Sequence, residues 1–223
     1  MTGSFEEAIT ILCRMFDVRG KVIPVTLDDA NLEVTLEDGS TIQGETNIDI
    51  PLHDGNLRIT EARLTGNITL NPQAREVIEQ SDYVIIGPGD LYTSIIPNLL
   101  IPGMREALES TKARKIYICN IMTKYGETAG FSAVEFMQVI EQYIGKKVID
   151  FVVLNNGVVR PDIAAKYLET EGKIPVVRDQ LGQIGSEHYE VVERDLTSAS
   201  DFARHDPTKL GRVIEDFIEG WIK

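Results

Sequence analysis

Between Ser81 and Ile95 the chain reads SDYVIIGPGDLYTSI. Val84, Ile85 and Ile86 form a continuous apolar run, the pattern of a strand buried on both faces. Gly87, Pro88 and Gly89 break that strand sharply. Asp90, Thr93 and Ser94 follow, where a helix is predicted to begin. A doubly buried strand commits the chain to a sheet covered by helices. The turn after it gathers close-approaching glycines and unpaired helix-start N–H groups, which can receive phosphate or another anion. An ordinary strand-to-helix turn uses the same residue types. The turn is neither GxGxxG nor GxxxxGK[ST], and it has no Lys to grip a β- or γ-phosphate.

The flanking pattern predicts how that strand is used. Helices are expected at 72–80, 102–110, 131–144 and 161–170. Strands are expected at 82–86, 115–119 and 148–154, with an edge strand at 187–192. Asp206–Pro207 opens a last helix whose buried stripe is Leu210, Val213, Ile214, Phe217, Ile218 and Trp221. Strands alternating with helices of this length make right-handed βαβ units. The expected fold is therefore α/β: a doubly wound, mostly parallel, Rossmann-like sheet. Upstream, Ser4 and Glu7 form a capping box for an amphipathic helix over 4–17. A short strand is expected at 22–25. Leu32, Val34 and Leu36 alternate with polar residues before a two-residue Asp38–Gly39 turn, and a further strand covers 57–64. This antiparallel hairpin, about 30–65, is expected as an insertion outside the main sheet, within a single domain spanning 1–223.

Net charge is −13, from 22 basic and 35 acidic residues. That excess of acid argues against nucleic acid as a partner, though not against a nucleotide in a local pocket. Cys13 and Cys119 lie far apart in apolar surroundings, the pattern of reduced core thiols in a cytoplasmic protein. No apolar run reaches membrane-spanning length, and the acidic, amphipathic start is unlike a signal peptide. His53, His188 and His205 have no metal-ligand spacing, so no metal site is expected. No nucleophile with an evident base is readable.

Three loops leave the carboxyl ends of the predicted parallel strands, where α/β sheets take ligands. The first holds Gly87, Pro88, Gly89, Asp90, Thr93 and Ser94. The second holds Asn120, Thr123, Glu127 and Thr128, suited either to capping the next helix or to reading a sugar or base edge. The third holds Asn155, Asn156, Gly157 and Arg160, suited to a tight turn or to hydrogen-bonding a ligand and its phosphate. Arg204 and His205 could face an anion or serve cap chemistry.

Taken in order, TGSFEEAI, VRGKVIPVT, EDGSTIQGETNI, Asn71–Pro72, IIGPGDLYTSIIPNLL, CNIMTKYGETAGFSA and RHDP resemble the CofD/YvcK (UPF0052) family of nucleotide-binding proteins. The CofD branch transfers a phospho-acid from a guanylated donor to a deazaflavin. Its members carry a PSNP-like loop where this chain has Gly87–Asp90, and an aromatic insertion absent here. The chain is more similar to the YvcK branch, often called the gluconeogenesis factor. That resemblance implies a binder of UDP-sugars such as UDP-N-acetylglucosamine, with a regulatory role in carbon metabolism, cell-wall synthesis and cell shape. The resemblance implies that the GPG, NIMT and NNG loops contact the nucleotide. The alternatives are a CofD-like transferase and a nucleotide-independent module that docks protein partners through its acidic surface and hairpin. Regulatory protein partners and a homo-oligomer are further expectations. The family's GGGTG and DDGGS segments, which precede TGSFEEAI, have no counterpart here. The expectation is a fragment or a shortened gene product that binds more weakly than an extended parent.

Overall fold

The computed structural model describes residues 4–179, 188–220 and 222. Helix α1 (Phe5–Met15) starts where Ser4 Oγ accepts the Glu7 N–H. Strands β1 (Asn31–Leu36), β2 (Thr41–Gln43) and β3 (Ile59–Thr65) form an antiparallel sheet in the order β2-β1-β3. A short helix, α2 (Glu45–Asp49), leaves β2. Helix α3 (Pro72–Gln80) precedes β4 (Tyr83–Ile86). A π-helical turn (Leu91–Ile95) then runs into α4 (Ile96–Leu99) and α5 (Met104–Ser110). Next come β5 (Arg114–Ile118), α6 (Ala133–Ile144), β6 (Phe151–Asn155), α7 (Pro161–Glu171), β7 (Glu190–Arg194) and α8 (Pro207–Ile218). Strands β4-β5-β6-β7 form a parallel sheet in that order.

The period-two rule sorts the sheet's side chains between its faces. Ile116, Ile118, Phe151 and Val153 pack with Val213 and Phe217 of α8. Tyr117, Val152 and Leu154 point the other way, into a core shared with α4, α5, α6 and the small sheet. Burial of each large apolar side chain here contributes about 1.5–3 kcal/mol. Tyr83 fixes α8 from the side, its hydroxyl donating to the Phe217 carbonyl at 2.7 Å.

The antiparallel unit lies outside the main sheet, as its alternation predicts. Leu32, Val34, Leu36, Ile48, Ile59 and Ala62 nevertheless join the larger core. Polar links add to this: Ala62 N–H donates to Tyr143 Oη at 2.7 Å, and Arg58 pairs with Glu135 at 2.5 Å. Glu33, on the strand's polar face, is buried because Gln43 and Arg63 both donate to it.

Several expectations are corrected. Residues 22–25 form no strand. Instead, Asn71 donates from its side chain to Pro24 O and from its backbone to Val25 O, while its Oδ1 caps α3 by accepting the Gln73 N–H. The hairpin turn has three residues rather than two, because Leu36 N bonds Ser40 O and Gly39 adopts φ 84°. Gly there supplies the left-handed position that closes such a loop. Cys13 is only half-buried, whereas Cys119 is in the core. Ile218 is exposed. Trp221 and Glu187 lie outside the described residues. No helix among the described residues is long and apolar enough to cross a membrane.

Candidate ligand-binding site

The turn after β4 closes against its neighbours by backbone geometry. Gly87 has φ 81°, and a Cβ there would lie 2.9 Å from the Ile118 carbonyl oxygen. Gly89 donates its N–H to Asn120 Oδ1 at 3.2 Å, joining the first loop to the second. Beyond Gly89 the chain widens into the π-helical turn, where Ser94 and Ile95 N–H both donate to Asp90 O.

The helix-start donors are met from within the protein. The buried Glu127 carboxylate accepts the N–H groups of Tyr92 and Thr93 at 2.9 and 3.2 Å, and the Thr93 hydroxyl at 2.9 Å. Lys124 Nζ approaches the same carboxylate at 3.0 Å. A buried acid needs this many donors to remain an anion. Burial still outweighs Lys124 and raises the carboxyl above its ordinary range. Lys124 also meets Asp90 at 2.7 Å and Asp49 of α2. Asp49, Asp90 and Glu127 form the one cluster of metal-ligating type found among the described residues, and the Lys124 ammonium contacts all three.

The rest of the second loop is similarly self-bonded. Thr123 N–H donates to Ile174 O at 2.8 Å, and its Oγ1 accepts the Ile174 N–H at 3.1 Å. Thr128 Oγ1 accepts the Lys124 N–H at 2.9 Å. In the third loop, Asn155 Oδ1 accepts N–H groups from Gly157 and Leu196, and its amide donates to Gly157 O. Arg160 is exposed and pairs with Asp162 and Asp201. Asn156 is exposed and donates its N–H to Arg194 O.

The three loops border three openings at the carboxyl ends of β4, β5 and β6. A mostly apolar groove of about 360 Å³ beside β4 includes Gly87, Pro88, Gly89 and Ser94. A cleft of about 190 Å³ includes Asn120, Asn155, Gly157 and Cys119. Burial pushes the Cys119 thiol up to about 12, which makes it a poor nucleophile near neutrality. The third opening, about 370 Å³, is polar and is lined by Asp90, Asn120, Thr123, Lys124, Tyr167, Glu171, Lys173, Arg204 and His205. Asn120 lines two of the openings and bonds the turn bordering the third. Thr93, Glu127 and Thr128 are buried within the loop framework rather than lining these openings.

Arg204 and His205, the pair that the sequence suggests for an anion, share this opening with Lys124, Tyr167 and Lys173, which carry no local signal of a site. Lys173 pairs with Glu171 at 2.6 Å. Arg204 has no carboxylate partner among the described residues, and its guanidinium lies 5.1 Å from the Phe202 ring centroid. Burial lowers the His205 imidazole below its ordinary range, and its Nε2 is buried without a hydrogen-bond partner among the described residues. Only three-dimensional proximity reveals this set, because its members come from four separate segments.

A parallel sheet with polar openings at its carboxyl ends is the architecture in which α/β proteins take small ligands. The chain belongs to the CofD family: the family model described as "2-phospho-L-lactate transferase CofD" matches residues 1–197. Among curated relatives, a "Putative gluconeogenesis factor" of Thermotoga maritima is 40% identical over 216 residues, covering 96% of this chain and 67% of that protein. The "Gluconeogenesis factor" of Bacillus subtilis is 35% identical over 221 residues, covering 98% of this chain and 68% of that one. A "Putative gluconeogenesis factor" of Clostridium acetobutylicum is 35% identical, and this chain spans only 48% of it. A crystal structure from Bacillus halodurans, titled as a UPF0052 family member, superposes with a TM-score of 0.87 at 32% identity, covering 96% of this chain and 68% of that one. This is a chain of the gluconeogenesis-factor type.

Proposed function

We propose that this chain binds a nucleotide sugar of the UDP-N-acetylglucosamine class at the polar opening beside Asn120, as a regulatory protein. The observation that carries the reading is Arg204, a cation at that opening with no carboxylate partner among the described residues. A diphosphate is the natural counter-charge for such a guanidinium. Asn120 and Tyr167 offer donors, acceptors and a ring to the base or sugar. The names of the relatives support a role in carbon metabolism, and the resemblance extends it to cell-wall synthesis and cell shape.

Calorimetric titration of UDP-N-acetylglucosamine, with GDP as control, tests the reading. Saturable binding of the UDP-sugar is the expected result, and binding of GDP alone would overturn it. The family model's description favours a second reading, transfer of a phospho-acid from a guanylated donor. Mass spectrometry separates the two, since a binder leaves GDP- and UDP-linked donors intact.

A further inference from the structure

Lys124 carries more negative charge around it than it neutralises. Its ammonium meets Asp90, Glu127 and Asp49, so one cation faces three carboxylates. Asp90 and Lys124 line the polar opening, whereas Glu127 is buried beneath them. Asp49 stands apart from both groups. It belongs to α2, in the unit between β2 and β3, and does not line the opening. Its carboxylate is about two-fifths exposed and makes no other ion pair among the described residues. The Lys124 side chain is only 12% exposed, held on the Asp49 side as well as the Asp90 side.

Glu127 is needed for the loop, because it also satisfies Tyr92 and Thr93. Asp90 shapes the π-helical turn through its carbonyl. Asp49 has no comparable structural duty at the turn. Its effect on the opening is electrostatic: it holds the ammonium away from an incoming anion and adds a negative charge behind it. We infer that Asp49 is a specificity-determining residue that masks Lys124, so that the antiparallel unit sets how strongly the polar opening attracts an anionic ligand. This rests on the proposed nucleotide-sugar site. Removing one charge several ångströms from a bound diphosphate changes affinity by about three- to tenfold at low salt.

The test uses the full chain and Asp49→Asn, with two readouts. The first is the rate at which an amine-acetylating reagent labels Lys124, followed by mass spectrometry without ligand. Labelling is expected to rise in the variant, because a lysine with one fewer carboxylate partner is more exposed and less strongly held protonated. The second is titration with UDP-N-acetylglucosamine and with uncharged uridine. The UDP-sugar is expected to bind about three- to tenfold more tightly to Asp49→Asn, with the gain shrinking as salt rises, and uridine is expected to be indifferent. Unchanged labelling overturns the inference whether or not the sugar nucleotide binds. An equal change for uridine and the UDP-sugar also overturns it, since a structural effect would not distinguish them. Labelling that rises in a chain that binds no UDP-sugar supports the masking of Lys124 and overturns the reading of the site.

Discussion

Two neighbouring segments at the carboxyl end of the sheet use the same kinds of residue in opposite ways. The Gly87–Ser94 turn has the more conspicuous sequence, with glycines, hydroxyls and a helix start. Yet the N–H groups of Tyr92 and Thr93 and the Thr93 hydroxyl are taken up by Glu127. The Asn120–Thr128 loop supplies that carboxylate, and it also presents Asn120 and Lys124 to the polar opening. A helix start rich in donors is thus a site for an anion, but here the anion comes from the protein itself. The neighbouring loop, together with Arg204, carries the groups left for a ligand.

The largest expected effect tests the inward half of this contrast. Glu127→Ala should cost about 3–5 kcal/mol in urea unfolding, because it leaves the Tyr92 and Thr93 N–H groups and the Thr93 hydroxyl without their acceptor in a buried place, while Lys124 keeps Asp49 and Asp90. A loss below about 1 kcal/mol would mean that the turn does not depend on the carboxylate. Asn120→Ala should weaken UDP-sugar binding by about 1–2 kcal/mol, roughly five- to thirtyfold, as seen by calorimetry. Unchanged affinity would remove Asn120 from the site. Thr93→Val sharpens the comparison, since it deletes a hydroxyl that faces Glu127. It should lower stability by about 1 kcal/mol and leave affinity unchanged. A clear loss of affinity at constant stability would return the turn to the ligand.

The smallest effect is expected outside both segments. Asp195 is held down to about 2, first by Lys209 and then by Thr197, in a partly exposed position where β7 leads towards α8. A carboxyl lowered in the folded state adds stability above its ordinary range near 4, and that stability is lost as pH falls from about 4 through 2. Solvent screening keeps the contribution under about 1 kcal/mol. Acid unfolding followed by circular dichroism should therefore begin at slightly higher pH than in Asp195→Asn corrected for its neutral-pH stability. Identical profiles would show that the pair is idle.

Much of the fold was legible because local pattern and burial agree. Helix α6 shows this: Ser132 and Glu135 form the capping box, Gly145 ends the helix, and Ala133, Phe136, Met137, Ile140 and Ile144 are buried. Helix α1 has an equally regular apolar stripe and a serine cap, yet none of its residues is buried, and Phe5 is 67% exposed. Periodicity predicts the helix, while burial depends on what packs against it. The short α2 had no strong local signal, whereas Asp38–Gly39 located the hairpin turn but not its length, which the Leu36–Ser40 backbone bond sets at three residues. The site was harder to read because its chemistry depends on pairing. Thr123, Thr128 and Asn155 have the residue types of ligand-binding groups but spend their hydrogen bonds on the backbone. Lys124 and Lys173 look like ordinary surface cations until the fold gathers them with Arg204 at one opening.

The most direct test is an amide and side-chain NMR titration of the full chain with UDP-N-acetylglucosamine. The largest shifts are expected at the Asn120 side-chain amide, Lys124 and Arg204, with the Tyr92 and Thr93 amides nearly still because Glu127 already holds them. Shifts concentrated at Gly87–Ser94, with Asn120 and Arg204 unmoved, would contradict this division of labour between the two segments.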